Sequence, residues 1–446
     1  MLDLLLIIIF CILGTLLGII TGLLPGLHVN NVALIMLSLS STIVAFCTPL
    51  FIYGISEQFI LVLIAGFMIS LSISHSFHDT IPSTFIGAPE EETALSVLPA
   101  HNLLLKGEGY KAVALAVLGS YGAILVCLAF LYPLRFIIGP PLSLYPLLQE
   151  CMIWVLLAVV ILMIATEKTR ITDFRGKGKL PSLLGMLFAA FVFTLSGLFG
   201  LLLFDISLAS PIGLPAPVLF PALAGLFGVP TLLTSLFTKP SIPEQKIEPL
   251  IQNKIEQRSS LVSILTGSAA GIFVSLIPGL TTATGTVLAM NARQKSSQEQ
   301  TIVTLSAVNT AATFSVTMML FIIQRARSGV TLAVKDLMVI ESWDSIPLPL
   351  GLTYLLMFLV ISGILSYFLT LYLGQIFAKN FHRIPYQKLV VFTLIFIGAL
   401  VVLFTGLLGL LVLLVATSIG FLPLSWGVRR SHCMGVLLLP IILYFL

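Results

Sequence analysis

The chain has 446 residues, 58% of them hydrophobic and 9% charged, with a formal net charge of +4. An average soluble protein carries about 25% charged residues, so this composition and a mean hydropathy of +1.13 exclude a soluble fold. The net charge says little about partners, and no nucleic-acid partner is expected.

Apolar runs near 20 residues recur along the chain, the length a membrane-spanning helix needs. A β-barrel would show short alternating segments instead. The expected class is an all-α polytopic protein of the cell membrane, multi-pass and surrounded by lipid, with about 10–12 spanning segments. Cys11, Cys47, Cys127, Cys151 and Cys433 are scattered in apolar sequence, as small core residues are, and no disulfide framework or metal site is expected of them.

Residues 4–24 form the first apolar segment. They lack the basic start of a signal peptide and run into Pro25-Gly26-Leu27-His28-Val29-Asn30-Asn31. Residues 32–48 read as the return arm of a broken or re-entrant hairpin. The pattern recurs past the middle. Gly267 and Gly271 precede Pro278-Gly279-Leu280 and then Thr281, Thr282 and Thr284, as Gly14 and Gly18 precede Pro25-Gly26. In lipid, amides freed by such a break must be buried in protein or line a polar cavity. Paired broken segments, one per half, point to a transporter's binding site.

Further crossings are expected at residues 58–74, 112–131, 150–166, 182–204 and 218–237, then at 301–323, near 389–420 and at 433–446. Residues 345–376 fit one tilted helix or two short ones. Ser74 to His101 is the most polar stretch with apolar flanks, and Pro82, Gly87 and Pro89 argue against a regular helix there. Residues 238–260, charged and Pro-bearing, read as an exposed cytoplasmic linker. They divide an N-terminal repeat, 1–237, from a C-terminal repeat, 261–446. A second pair of matches supports duplication: Gly197 and Gly200 recur as Gly406 and Gly409, and Gly225 to Pro230 as Gly435 to Pro440.

Basic residues place loops 103–111, 168–179, 238–260, 293–300 and 379–388 in the cytoplasm. Loops 49–57, 132–149, 205–217 and 341–347 fall outside. Loop 324–336, with Arg325, Arg327 and Lys335, also falls outside and breaks that rule. Five crossings in the first half invert the second half, so the repeats are expected to have inverted topology. Arg429, Arg430 and His432 read as a cytoplasmic anchor, and Trp154, Trp343 and Trp426 as an interfacial belt.

The chemistry is expected at the two breaks. Half-helices starting after them point unpaired amides and a positive dipole end into the protein, a natural anion site. Pro25, Gly26, His28, Asn30, Asn31, Pro278, Gly279, Thr281, Thr282, Thr284 and Asn309 are therefore the candidate substrate-binding residues, and His28 is the titratable donor among them. No Lys or Arg lies within either turn, so backbone and hydroxyl donors are expected to hold the anion. Ionisable residues between spanning segments are costly and functional. That makes His78, Asp79, Glu90, Glu91 and Glu92 candidates for coupling a cation, Na⁺ or H⁺, with no cofactor and no metal site. No phosphate-binding loop, GxSxG or HExxH motif occurs, and no enzyme activity is expected.

Three blocks also carry a resemblance. Gly22 to Asn30, Ile81 to His101 with Lys106-Gly107-Glu108-Gly109-Tyr110, and Ile277 to Leu280 with the following threonines resemble the large permease subunit of tripartite tricarboxylate transporters. The branch is the divergent archaeal type, and the likeness runs along nearly the whole chain in order. It implies a secondary permease of inverted repeats that moves an organic carboxylate with a cation. It also implies a small membrane subunit and an extracytoplasmic binding protein as partners; a homodimer stays open. The paired Pro-Gly hairpins are also similar to those of polyprenyl-phosphate transporters, so a lipid-linked phosphate is the alternative substrate. A non-transporting membrane scaffold is the third reading.

Overall fold

The computed structural model describes residues 2–24, 29–87, 97–167, 180–211, 218–238, 243–277, 282–292, 297–381 and 386–446. These are helical almost throughout, with no strand among them. In chain order the helices are α1 Leu2–Leu23, α2 Val29–Phe46, α3 Glu57–His78, α4 Thr80–Phe85, α5 Val97–Leu104 and α6 Gly109–Ala129. Next come α7 Leu131–Ile138, α8 Leu144–Glu150, α9 Met152–Ala165, α10 Leu180–Phe204, α11 Leu219–Leu223 and α12 Val229–Thr238. The second half holds α13 Lys254–Leu276, α14 Thr282–Ala292, α15 Gln298–Ile322, α16 Gly329–Leu337, α17 Leu350–Phe381, α18 Tyr386–Ser425 and α19 Gly435–Phe445. Among the described residues, 8 helices are long and apolar enough to cross a membrane, or 9 if the bent pair α8 and α9 is one span.

Polar caps set several starts. Asn253 and Glu256 form a reciprocal capping box on α13, Ser297 and Gln300 one on α15, and Ser328 and Thr331 one on α16. The box at Asn253 starts α13 at Lys254, ahead of the expected 261. Residues 350–381 make one helix of 32 residues rather than two. Helix also persists where Pro82 argued against it. Asp79, between α3 and α4, keeps helical angles (φ −60°, ψ −21°), and Pro82 occupies the first turn of α4, where its missing N–H costs nothing. The linker is not wholly exposed: Gln245 is buried, its Oε1 accepting from Gly109 N at 2.8 Å and its Nε2 donating to Leu104 O at 3.1 Å.

Small residues let helix backbones approach closely. A Cβ on Gly14 would lie 2.9 Å from Ser70 Cβ, one on Gly18 2.6 Å from Leu71 O, and one on Gly22 2.8 Å from His78 Cβ. These contacts advance together, so α1 and α3 run the same way and the chain between them must double back. The second half repeats the arrangement. Gly267 faces Thr304 O at 2.6 Å and Gly271 faces Val308 O at 2.5 Å, so α13 and α15 are parallel. Gly285 of α14 packs back on Val274 of α13, 2.7 Å from its Cγ2.

Hydrogen bonds extend each parallel pair to a third helix. Ser362 of α17 donates to Ser70 O at 2.9 Å, and Thr370 Oγ1 lies 3.2 Å from His78 Nε2, so α17 runs with α3. Lys111 of α6 meets Glu299 at 2.6 Å and Gly119 faces Ser306 Cβ at 3.2 Å, so α6 runs with α15. The two sets oppose each other. Along α6 and α17, Tyr110 pairs with Gln375 at 3.0 Å, Tyr121 with Tyr367 at 5.1 Å between ring centroids, and Ile124 with Gly363.

A second bundle holds α9 to α12, α18 and α19. Its close approaches fall on the other matched glycines: Gly197 and Gly200 of α10 on Leu439 and Val436, and Gly225 on Leu413 and Ala416 of α18. Residues Ala224–Gly228 form a π turn between α11 and α12. α18 breaks at Gly406, whose φ of 68° and ψ of −169° suit glycine. Trp343 is fully buried, edge-on to Tyr132. Trp154 is exposed, and Trp426 stacks on Phe188.

Candidate functional site

The end of α3 brings the two glycine-packed helix pairs together. Asp79, 2% exposed, accepts a hydrogen bond at 3.3 Å from Asn309 Nδ2 on α15. Asp79 N also lies 3.1 Å from the position of a Cβ on Gly22, near the end of α1. Asn309 follows Val308, whose carbonyl Gly271 of α13 abuts. One carboxylate–amide bond therefore links the helix pair α1 and α3 to the pair α13 and α15.

Around this link the polar atoms divide into two kinds. On the first-hairpin side, Ser366 Oγ of α17 is buried without a partner, but the polar groups nearest the link are used in packing. His78 Nδ1 donates to Ser74 O at 2.7 Å and its Nε2 meets Thr370 Oγ1, so both ring nitrogens tie α3 internally and to α17. His75 Nδ1 lies 3.1 Å from Thr21 Oγ1 of α1. Thr15 donates to Cys11 O at 2.8 Å and reaches Ser362 Oγ at 3.0 Å. On the second-hairpin side, Thr282 Oγ1, Asn309 Oδ1 and Thr310 Oγ1 are shielded from solvent and have no hydrogen-bond partner. Buried polar atoms are paired in the large majority of cases, so such a set marks where a water, ion or ligand belongs.

Asn30, at the start of α2, reaches α16. Its Oδ1 accepts from Val330 N at 3.3 Å, in the first turn of that helix, and Gly329 packs on its Cβ. Loop 324–336, which broke the charge rule, thus carries a helix packed against α2 and α3. Pro25, Gly26, His28, Glu90, Glu91, Glu92, Pro278, Gly279 and Thr281 lie outside the described residues, as do the side chains of Asn31 and Thr284. Of the expected residues, the structure brings Asp79 and Asn309 into contact and puts Thr282 at the start of the return helix.

Arg429, Arg430 and His432 do not form a solvated anchor. Glu167, after α9, has one carboxylate oxygen that accepts from Arg429 Nε at 2.7 Å and from His432 Nε2 at 2.7 Å. Burial pushes the Glu167 carboxyl up, but the His432 hydrogen bond and the Arg429 charge outweigh it, and the net direction is down from 4.5. Arg430 is 6% exposed and donates through Nη1 to Phe227 O at 3.1 Å and to Thr231 Oγ1. Sequence reasoning missed this cluster because Glu167 and His432 lie 265 residues apart.

The chain matches the tripartite tricarboxylate transporter TctA family over residues 8–435. It is 28% identical to an uncharacterized protein of Methanocaldococcus jannaschii over 452 aligned residues, covering 100% of both chains. No solved structure matches it. A multi-pass helical membrane protein with two glycine-packed parallel helix pairs, matched along nearly its whole length, the chain belongs to the tripartite tricarboxylate transporter TctA family.

Proposed function

We propose that the chain is the permease that carries an organic carboxylate across the cell membrane, driven by a co-transported cation. The observation that carries this reading is the Asp79–Asn309 link, with the shielded and unpartnered Asn309 Oδ1 and Thr310 Oγ1 next to it on α15. Hydroxyl and amide groups without partners in an apolar interior stabilise a substrate that supplies the missing bonds. Asp79 is a carboxylate enclosed at membrane depth, a position that marks ion and proton pathways. On this reading Asp79 takes up Na⁺ or H⁺, with His78 and Glu90 to Glu92 as its neighbours in sequence. The two Pro-Gly turns, with His28, Asn30, Asn31, Thr281, Thr282 and Thr284, hold the substrate.

The opposed helix sets support residues 1–237 and 261–446 as inverted-topology repeats joined by 238–260. Each repeat then contributes one hairpin, and carrier function rests on their rocking about a shared site. The family's description as tripartite supports two further partners, a small membrane subunit and an extracytoplasmic binding protein. The chain itself performs no covalent chemistry.

Citrate binding to the purified chain tests this, since a ligand that binds only the folded state raises its melting point. A citrate concentration of about 100 times Kd adds about 2.7 kcal/mol. Citrate should stabilise the wild type, and more so with Na⁺ or at lower pH. Asp79→Asn should keep the citrate shift and lose the cation increment. No shift with citrate removes the carboxylate reading, and an undiminished increment in Asp79→Asn removes the coupling role.

A further inference from the structure

Between α18 and α19 the chain makes a tight 3₁₀ turn, Arg430–Met434, that packs against α14, the return arm of the second hairpin. Arg430 opens this turn. Only 6% of it is exposed. A buried charge is normally paired, since an isolated one costs far more than a buried neutral group. Glu167, the carboxylate bound to this turn, is already taken by Arg429 and His432. Among the described residues, no carboxylate lies within ion-pair distance of Arg430, and its Nε has no partner at all. The next side chain, Ser431, is 1% exposed and its Oγ is also unpartnered.

The guanidinium is nevertheless held in place. Its Nη1 is anchored by Phe227 O, inside the π turn, and by Thr231 Oγ1. π turns interrupt the regular helical bonding pattern and recur at functional sites. Here the turn supplies a neutral anchor that orients the arginine without neutralising it. A planar guanidinium fixed on one edge, with a buried Nε–H left without a partner, is suited to an oxyanion, which it meets with charge and directed hydrogen bonds.

We propose that Arg430, oriented by the π turn and flanked by Ser431, is an oxyanion-binding residue that gives a carboxylate or phosphate its fixed positive charge beside α14. This rests on the reading that the carried substrate is an anion. It replaces the expectation that backbone and hydroxyl donors hold it alone. The second bundle then takes part in binding directly, through the turn that touches the second hairpin.

The test is titration calorimetry of the full chain in lipid nanodiscs with citrate and, separately, inorganic phosphate. Arg430→Gln should weaken the preferred probe by about tenfold or more, and Arg430→Lys by about threefold to tenfold, since Lys keeps charge but loses the fixed Nε–H. If Arg430→Gln fails to fold, Arg430→Lys decides. Tighter citrate than phosphate identifies a carboxylate as the ligand, and the reverse order a phosphate. Wild-type affinity in Arg430→Lys, or in a folded Arg430→Gln, overturns the proposal while leaving the transporter reading intact. A wild type that binds neither probe removes the anion-transport reading, and this proposal with it.

Discussion

Gly271→Ala isolates the contact that brings α13 onto α15. The new Cβ would lie 2.5 Å from Val308 O, 2.8 Å from Ala311 Cβ and 2.9 Å from Ala312 N. Two of these are backbone atoms of a helix, so no rotamer change relieves them. Ordinary contact begins at 3.4 Å, so α13 must withdraw by about 0.9 Å or α15 must bend. Overpacking of this kind costs about 1–3 kcal/mol. Gly18→Ala meets the equivalent obstacle at Leu71 O, 2.6 Å, and Ser74 Cβ, 2.5 Å. Gly398→Ala in α18 is the control. Nothing lies within 4 Å of its Cβ, and alanine is favoured in a helix interior by about 0.5–1 kcal/mol. Thermal unfolding in one detergent should rank Gly398→Ala at or above wild type, with Gly18→Ala and Gly271→Ala below it. Citrate affinity should also fall in Gly271→Ala, because Asn309 adjoins Val308. Equal melting of Gly271→Ala and Gly398→Ala would refute the close-packing argument.

Glu167→Gln should change the acid stability profile. The folded-state pKa of Glu167 lies below its ordinary 4.5, so its contribution is present above that value and is lost as pH falls through the lower folded pKa. The variant should melt below wild type near neutrality, with the gap closing under acid; a gap that stays constant down to strong acid contradicts the assignment. Asn30→Ala removes the side-chain acceptor at Val330 N, a helix-end loss worth about 0.5–2 kcal/mol. Hydrogen exchange should then quicken over residues 329–337, and unchanged protection there argues against the link between α2 and α16.

Much of this architecture is legible in the chain because glycine spacing is a local signal with a direct physical meaning. Gly14 and Gly18, and Gly267 and Gly271, stand four apart beside a Pro-Gly break, and the structure uses all four as backbone contact points. The weaker match of Gly197, Gly200 and Gly225 likewise falls on packing contacts in the second bundle. What escaped the sequence is pairing at long range. His78 and Asp79 look alike as ionisable neighbours, yet His78 is consumed by Ser74 and Thr370 while Asp79 meets Asn309. Arg430 sits among basic residues at the end of an apolar run, the usual pattern of a surface anchor. Only the folded chain brings Glu167 to Arg429 and leaves Arg430 without a carboxylate. The burial of Trp343 is of the same kind, since it packs against Tyr132 on a helix more than 200 residues away.

The break at Gly406 has a consequence for the lipid around the protein. As one straight rod, the 40 residues of α18 would extend about 60 Å, twice the hydrocarbon thickness of a bilayer. Gly406 divides them into arms over 386–405 and 407–425, each about 30 Å long and so matched to that thickness. The glycine acts as a gauge mark, dividing a hydrophobic run into two bilayer-sized lengths. Membranes a few ångströms thicker or thinner would impose a mismatch on both arms at once, each at a modest cost per ångström.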